Sequence, residues 1–283
     1  MRLTDVQVDP RPIAAARIGL GVATVINAIE ASAVLGAIAD GNLARPVLGW
    51  IPTPTDSAVF IFLVAATVAG VATILGLGTR SAAAVTTVLN LGVLLWDEQT
   101  YSGHRVLATL LVAYLVFAKS DAAWSMSARG GRGRELVPWW PQLLMMMQLS
   151  VCYWFAAVSK VNPVFLSGDG LRNWVWWPLP DWVFPFMAVA TILTELFLAV
   201  GLWLRRTRWT AAGVGICLHV SIVWMLRDPI PLIAFALACV PLFALFLWRP
   251  LSFPVGPMRE PRSAEDNAID PRQAAELRSP VRR

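Results

Sequence analysis

Long apolar segments, separated by short polar ones, run along most of the chain. Eight of them approach the roughly 20 apolar residues that a helix needs to cross a bilayer. They cover residues 13–38, 57–77, 82–96, 106–118, 139–159, 183–204, 209–226 and 231–248. Backbone polar groups in lipid must be paired within their own segment, so these segments predict helices. The pattern predicts an all-α polytopic membrane bundle of about eight transmembrane helices, of which the short third and fourth could be tilted or re-entrant.

The composition supports lipid as the main partner of this chain. Of its 283 residues, 57% are hydrophobic and only 14% are charged, whereas about a quarter of a soluble domain is charged. The first apolar segment contains Arg17, Asn27 and Glu30 and is too long for the apolar region of a signal peptide. We therefore expect it to be retained as a helix.

Basic residues are concentrated in alternate loops. With the N-terminus inside, most of the 23 Lys and Arg residues fall on the cytoplasmic side, which is the side that such residues prefer. We expect a multi-pass protein of the cell membrane with both termini in the cytoplasm. Residues 1–11 are then a cytoplasmic segment, 12–249 the transmembrane domain, and the polar, Pro- and Arg-rich residues 250–283 a disordered cytoplasmic tail. Because the positive charge has this topological explanation, no nucleic-acid binding is expected.

Cysteine and histidine give no sign of a metal site. Cys152, Cys217 and Cys239 lie in apolar segments without paired spacing. We interpret them as small structural residues, with a redox or acylation role as the alternative. The chain has only two histidines and no Cys/His cluster, which argues against structural zinc.

Ionisable residues inside the apolar segments are the candidate functional residues, because each is costly in lipid unless it is paired or faces water. Glu195 and His219 lie near the middle of the sixth and seventh segments, which a short loop joins. The two residues are at similar depth and could hydrogen-bond to each other. Either this pair fixes helix packing, or it belongs to a site or proton relay.

Lys160 ends the fifth segment just before Asn162-Pro163, which would break a helix. Tyr153 shares its helix face, and Glu30 could reach the same cavity from the first helix. Lys160 is either an interfacial lysine that extends its ammonium group to water or a partly desolvated amine that can act as a base.

The loop at residues 97–105 holds many polar groups for its length. Asp97, Tyr101, Ser102 and His104 are its candidate site residues. A solvated hairpin is the alternative interpretation.

Together these motifs resemble the horizontally transferred transmembrane (HTTM) family, the membrane domain shared with vitamin K-dependent γ-glutamyl carboxylase. The resemblance covers residues 12–248. It rests on four stretches, which are Arg17-Ile18-Gly19-Leu20-Gly21, Tyr101-Ser102-Gly103-His104, the segment from Trp139 through Tyr153 and Lys160 to Gly168, and the spacing of Glu195, Arg208 and His219. The chain departs from the family at Phe165, where members often have Trp, and at Tyr101, where the carboxylase has a histidine.

The resemblance implies a role for Lys160, which falls where the carboxylase keeps the lysine thought to deprotonate reduced vitamin K. The resulting anion reacts with oxygen, and the strong base so formed removes a γ-proton from a peptide glutamate, to which CO2 adds. Glu195 and His219 would line the same site, on the non-cytoplasmic face, and a reduced quinone would be the cofactor.

Two other classes of function remain open from the sequence. The chain could be a non-catalytic accessory protein for the maturation or export of a peptide, similar to sporulation-delaying protein B. It could also be a small-molecule or lipid carrier, although it shows no inverted repeat and no broken helix pair.

Overall fold

The computed structural model describes residues 3–248, which form an α-helical bundle. The tail at 250–283, predicted to be disordered, lies outside the described residues. The helices, in chain order, are α1 (Arg11–Ala39), α2 (Asp56–Leu75), α3 (Thr79–Trp96), α4 (Gly103–Leu115), α5 (Trp140–Ser159), α6 (Pro163–Leu166), α7 (Asp169–Trp174), α8 (Val183–Gly201), α9 (Arg208–Met225), α10 (Pro229–Cys239) and α11 (Phe243–Leu247). Two short strands, β1 (Gln7–Val8) and β2 (Val137–Pro138), pair antiparallel, with Val8 opposite Val137.

All eight apolar segments form helices, which confirms the all-α fold class. Within residues 3–248, six helical stretches are long and apolar enough to span a membrane. They are α1, α2, α5, α8, α9 and the stretch Pro229–Leu247, which contains α10 and α11. The other two predicted spans are α3, which is less apolar, and α4, which has only 13 residues. These are the third and fourth segments, the shortest in the sequence.

Helix ends follow from local sequence. The Thr55 side chain caps α2 by accepting a hydrogen bond from the Ala58 amide. α2 ends at Leu75, and the next residue, Gly76, has a left-handed backbone conformation. A 3₁₀ turn that contains Pro241 separates α10 from α11, because proline has no amide hydrogen to continue the helix. α5 ends at Ser159, immediately before Lys160, as the Asn162-Pro163 break predicts.

α1 is the central element of the bundle and packs against α2, α4, α10 and α11. Its glycines permit this close packing. A Cβ added at Gly19 would lie 2.4 Å from Pro241 Cγ, and one added at Gly21 would lie 3.0 Å from the Gly70 carbonyl oxygen of α2. Small residues at such crossings are the usual means by which membrane helices approach each other. α5, α8 and α9 complete the bundle, with α5 against α8 and α8 against α9.

The bundle has two ends with different chemistry. We call the end at which α1 begins the N-terminal end. This end carries the β1–β2 pair. The chain segments that follow α2 and α4 lie at the same end, since the buried Arg17 guanidinium donates to the carbonyls of Ile74, Ser120 and Trp124. Strand pairing also places the start of α5 at this end, so Lys160 lies toward the opposite end.

Candidate functional site

The end away from the N-terminus carries two separate groups of polar and ionisable side chains. The first, here called the Lys160 cluster, comprises Lys160, Glu195, Tyr153 and His219. The second, called the Glu30 cluster, comprises Glu30, Ser102, His104 and Arg105. The sequence marks seven of these eight residues as candidates, and the structure divides them between two parts of the bundle.

Lys160 and Glu195 form a close ion pair between α5 and α8. The Lys160 Nζ donates to both carboxylate oxygens of Glu195, at 2.7 and 2.9 Å, and to the Ala156 carbonyl at 3.1 Å. The Glu195 side chain is only 10% exposed, whereas the Lys160 side chain is 26% exposed. The carboxylate is therefore nearly enclosed, and the ammonium group beside it keeps some access to the outside of the bundle.

Tyr153 and His219 form a second buried pair beneath the first. The Tyr153 hydroxyl and His219 Nε2 are hydrogen-bonded at 2.9 Å, and both residues are almost fully buried. The expected direct bond between Glu195 and His219 is therefore wrong. α5 and the capping residue that follows it provide a partner for each of them, because Tyr153 and Lys160 are seven residues apart and lie on one face, two turns from each other.

An apolar cavity of about 420 Å³ adjoins the Lys160 cluster. Lys160 and Glu195 are part of its lining, together with apolar and aromatic side chains that include Phe165, Trp174, Leu232 and Phe235. The Lys160 Nζ lies 5.9 Å from the centre of the Phe165 ring, within the range of a cation–π interaction. Phe235 also contacts the His219 ring edge to face, at a centroid distance of 5.1 Å. The Tyr153–His219 pair thus supports one wall of the cavity.

The Glu30 cluster joins α1 to the start of α4. His104 Nε2 lies 3.0 Å from Glu30 Oε2 and 3.3 Å from Ser102 Oγ. Arg105 is almost fully buried, lies 3.4 Å from the other carboxylate oxygen of Glu30, and donates to the Thr100 carbonyl. The expectation that Glu30 shares a cavity with Lys160 is wrong, because α1 packs on α4 at this level whereas Lys160 lies between α5 and α8.

Asp97 and Tyr101 occupy different positions in the neighbouring loop. The buried Asp97 carboxylate accepts from two backbone amides, those of Arg45 at 2.6 Å and Gln99 at 2.9 Å. It thereby ties the loop after α1 to the loop before α4. Tyr101 is 68% exposed, and Ser102 ends the loop as the residue before α4. The observed loop is therefore shorter than the predicted loop at residues 97–105, since His104 and Arg105 belong to α4.

Sequence reasoning missed the two buried arginines as structural centres. Arg105 was counted only among the charges that set the topology, and Arg17 was noted as part of a family motif but given no structural role. Arg17 is fully buried in α1, and its guanidinium donates to four backbone carbonyls, including Ser120 at 2.7 Å and Trp124 at 2.6 Å. At the other end Arg105 is also buried, but its guanidinium donates to one backbone carbonyl, that of Thr100, and pairs with Glu30. The available signal was their position within apolar segments, where an unpaired charge is costly.

The described cysteines are free, and no group of three or more His, Cys, Asp or Glu side chains within residues 3–248 is placed to bind a metal ion.

The fold and the site define a class: this is a polytopic α-helical membrane protein with a buried Lys–Glu pair in the wall of an apolar cavity. The sequence model of the HTTM domain matches residues 6–248. The chain therefore belongs to the HTTM domain family, as the motifs in its sequence indicate. No curated protein sequence and no solved structure matches it.

Proposed function

We propose that this protein is a quinol-dependent enzyme of the type represented by vitamin K-dependent carboxylase, with the Lys160–Glu195 pair as its proton acceptor. The observation that carries the proposal is the placement of this pair in the wall of the 420 Å³ apolar cavity. The active face would be the non-cytoplasmic one, since basic residues are concentrated in the loops of the other end.

The lining of the cavity suits a reduced naphthoquinone. Its aromatic and aliphatic walls, among them Phe165, Trp174 and Phe235, offer apolar surface to a flat ring system and a lipid-like side chain. Lys160 and Glu195 supply the polar groups that a quinol hydroxyl requires. When bound, such a quinol would supply the acidic hydroxyl and the electrons that reduce oxygen.

The geometry of the pair allows it to accept a proton as a unit. A proton of the Lys160 ammonium first passes along the 2.7 Å hydrogen bond to the Glu195 carboxylate, which leaves a neutral amine with a free lone pair. This amine, the more exposed partner, then accepts the proton of the quinol hydroxyl. The pair thereby changes from an ion pair to an ammonium group beside a neutral carboxylic acid. The ammonium group remains at the cavity, where it stabilises negative charge, and low polarity strengthens that interaction.

Tyr153 and His219 act as positioning residues in this proposal. Neither lines the cavity, but His219 contacts Phe235, and Tyr153 lies two turns from Lys160 on α5. They would keep Phe235 of the cavity wall and the Lys160 amine at a fixed distance and orientation.

Oxygen-dependent epoxidation of a reduced naphthoquinone by the purified protein tests the proposal, since this half-reaction requires no peptide substrate. We expect turnover by the wild type and a loss of about 100-fold or more in Lys160→Ala, Lys160→Arg and Glu195→Gln, which is the usual effect of removing a general base. Arg206→Ala, which removes an exposed charge far from the cavity, is the control and should retain full turnover.

Two results would contradict the proposal. Full activity in Lys160→Arg would show that the lysine is not the proton acceptor. No epoxide from a correctly folded wild type would favour the accessory role in peptide maturation, and the search would then turn to proteins that co-purify with the chain.

A further inference from the structure

A second, polar cavity lies at the N-terminal end of the bundle, away from the Lys160 cluster. It has a volume of about 570 Å³ and is formed by the start of α3, the end of α4 and the segment that follows α4. Thr79, Arg80, Lys119, Ser120 and Arg134 contribute its polar groups. The proposed quinol chemistry uses none of them.

The lining of this cavity carries an excess of positive charge. Arg80, Lys119 and Arg134 are all exposed, and none forms an ion pair with a carboxylate in residues 3–248. Asp121 is the acidic residue among the lining side chains, and its charge interacts with the buried Arg17 behind it. The cavity therefore has three cations against one carboxylate that is already partly balanced, which favours an anion.

Two buried hydroxyl groups in the wall of the cavity lack partners. The Thr79 Oγ1 and Ser120 Oγ form no hydrogen bond within the described part of the chain, although Thr79 is 2% and Ser120 1% exposed. A buried hydroxyl without a partner is costly, and Thr24 and Thr73 avoid this cost by donating to a carbonyl one turn earlier in their helices. Both residues line the cavity, and their hydroxyls have donor capacity that the described chain leaves unused.

The cavity also includes the start of α3, whose first amides have no side-chain cap. The residue before the helix is Gly78, which has no side chain to accept their hydrogen bonds. The α3 helix has 18 residues, and the amides and dipole at its N-terminus attract negative charge. The start of α3, the two residues with unpaired hydroxyls and the three basic residues all belong to the lining of this one cavity.

From these features we propose that the cavity binds a phosphate group, as a phosphate monoester presented either by an anionic phospholipid headgroup or by a free phosphate compound. Its tetrahedral oxygens would accept from the α3 amides, the Thr79 and Ser120 hydroxyls and the three cations. Phe117, which is 50% exposed and packs against Trp140, lies at the edge of the cavity and offers apolar surface to the glycerol and acyl part of a lipid. Basic pockets between helices at the cytoplasmic face are the usual form of a lipid headgroup site.

Titration calorimetry on the full chain in neutral detergent tests this proposal with three probes. They are short-chain phosphatidic acid, short-chain phosphatidylcholine and inorganic phosphate. We expect saturable binding of phosphatidic acid and none of phosphatidylcholine, because its phosphate is a diester whose single negative charge is neutralised by the choline ammonium group. Binding of inorganic phosphate with similar affinity would identify a free phosphate compound as the source, whereas binding of the lipid alone would identify a headgroup.

Matched variants locate the binding. Replacing Thr79 by Val, or Arg80 and Lys119 together by Ala, should weaken binding about tenfold, because each change removes donors or charge from the cavity. Thr79→Ser keeps the hydroxyl and should restore the affinity, which separates loss of a donor from a folding defect. Replacing Arg205 and Arg206 together by Ala removes the same two charges from the loop between α8 and α9, outside the cavity, and this variant should bind as the wild type does.

The proposal is overturned if neither phosphatidic acid nor inorganic phosphate binds to the folded wild type. It is also overturned if the Arg205 and Arg206 double replacement weakens binding as much as the Arg80 and Lys119 double replacement does, since the probes would then follow net charge alone.

Discussion

At the scale of single residues, the sequence identifies the important side chains but not their partners. Lys160, Glu195, Tyr153 and His219 can be selected because polar groups are costly within apolar segments. Their pairing depends on how far each helix is rotated and shifted along its axis, which hydrophobic patterning does not define for helices that are apolar on most sides. Depth alone suggested Glu195 with His219, whereas in the structure α5 supplies a separate partner to each.

The Tyr153–His219 pair gives a prediction at this scale. Tyr153→Phe leaves the buried imidazole without its partner and should lower the free energy of unfolding by about 1–3 kcal/mol. Adding His219→Leu to this variant should cost less than it does in the wild type, because the two residues are coupled. Thermal melting in detergent measures both effects, with the exposed Tyr101→Phe as the control. If the stability losses of Tyr153→Phe and His219→Leu simply add in the double variant, the hydrogen bond between the two residues contributes nothing to stability.

At the scale of elements, the apolar pattern predicts nearly all of the helices. The eight segments correspond to helices, and their ends follow caps and prolines such as Thr55, Asn162 and Pro241. The short helices α6 and α7 were not predicted, since they lie in a polar loop without a repeating pattern. The start of α4 was also placed too late, because His104 and Arg105 are polar residues that the helix buries against Glu30.

Two glycines of α1 provide a matched test of helix packing. Gly19→Ala would bring its new Cβ to 2.4 Å from Pro241, so we expect lower thermal stability in detergent. Gly36→Ala lies in the same helix with nothing within 4 Å of the new Cβ, and it should raise stability by about 0.5–1 kcal/mol because alanine favours the helix. Equal effects of the two substitutions would contradict the close approach of α1 to the Pro241 turn.

At the scale of the whole molecule, the two ends of the bundle are chemically distinct. The N-terminal end holds Arg17, Arg80 and Lys119, and the other end holds the Lys160 and Glu30 clusters. The sequence predicts this division from the distribution of basic residues. The sequence does not predict that the polar residues at the end opposite the N-terminal end form two separate clusters. That separation depends on which helices pack against α1.

Chemical labelling tests the orientation. A cysteine introduced at the exposed Tyr101 should react with a membrane-impermeant maleimide in intact cells, whereas one at Arg129 should react only after lysis. The unmodified chain, with its three native cysteines, gives the background. The reverse pattern would place Lys160 and its cavity on the cytoplasmic face.

The central position of α1 also has a consequence for biosynthesis. α1 is the first helix to leave the ribosome, yet two of its packing partners, α10 and α11, are among the last. During translation the Gly19 face of α1 must remain without the Pro241 turn that finally covers it. A nascent chain released before residue 229 would therefore keep this face open to lipid or to other helices. Assembly of the bundle is completed only when its last helices reach its first.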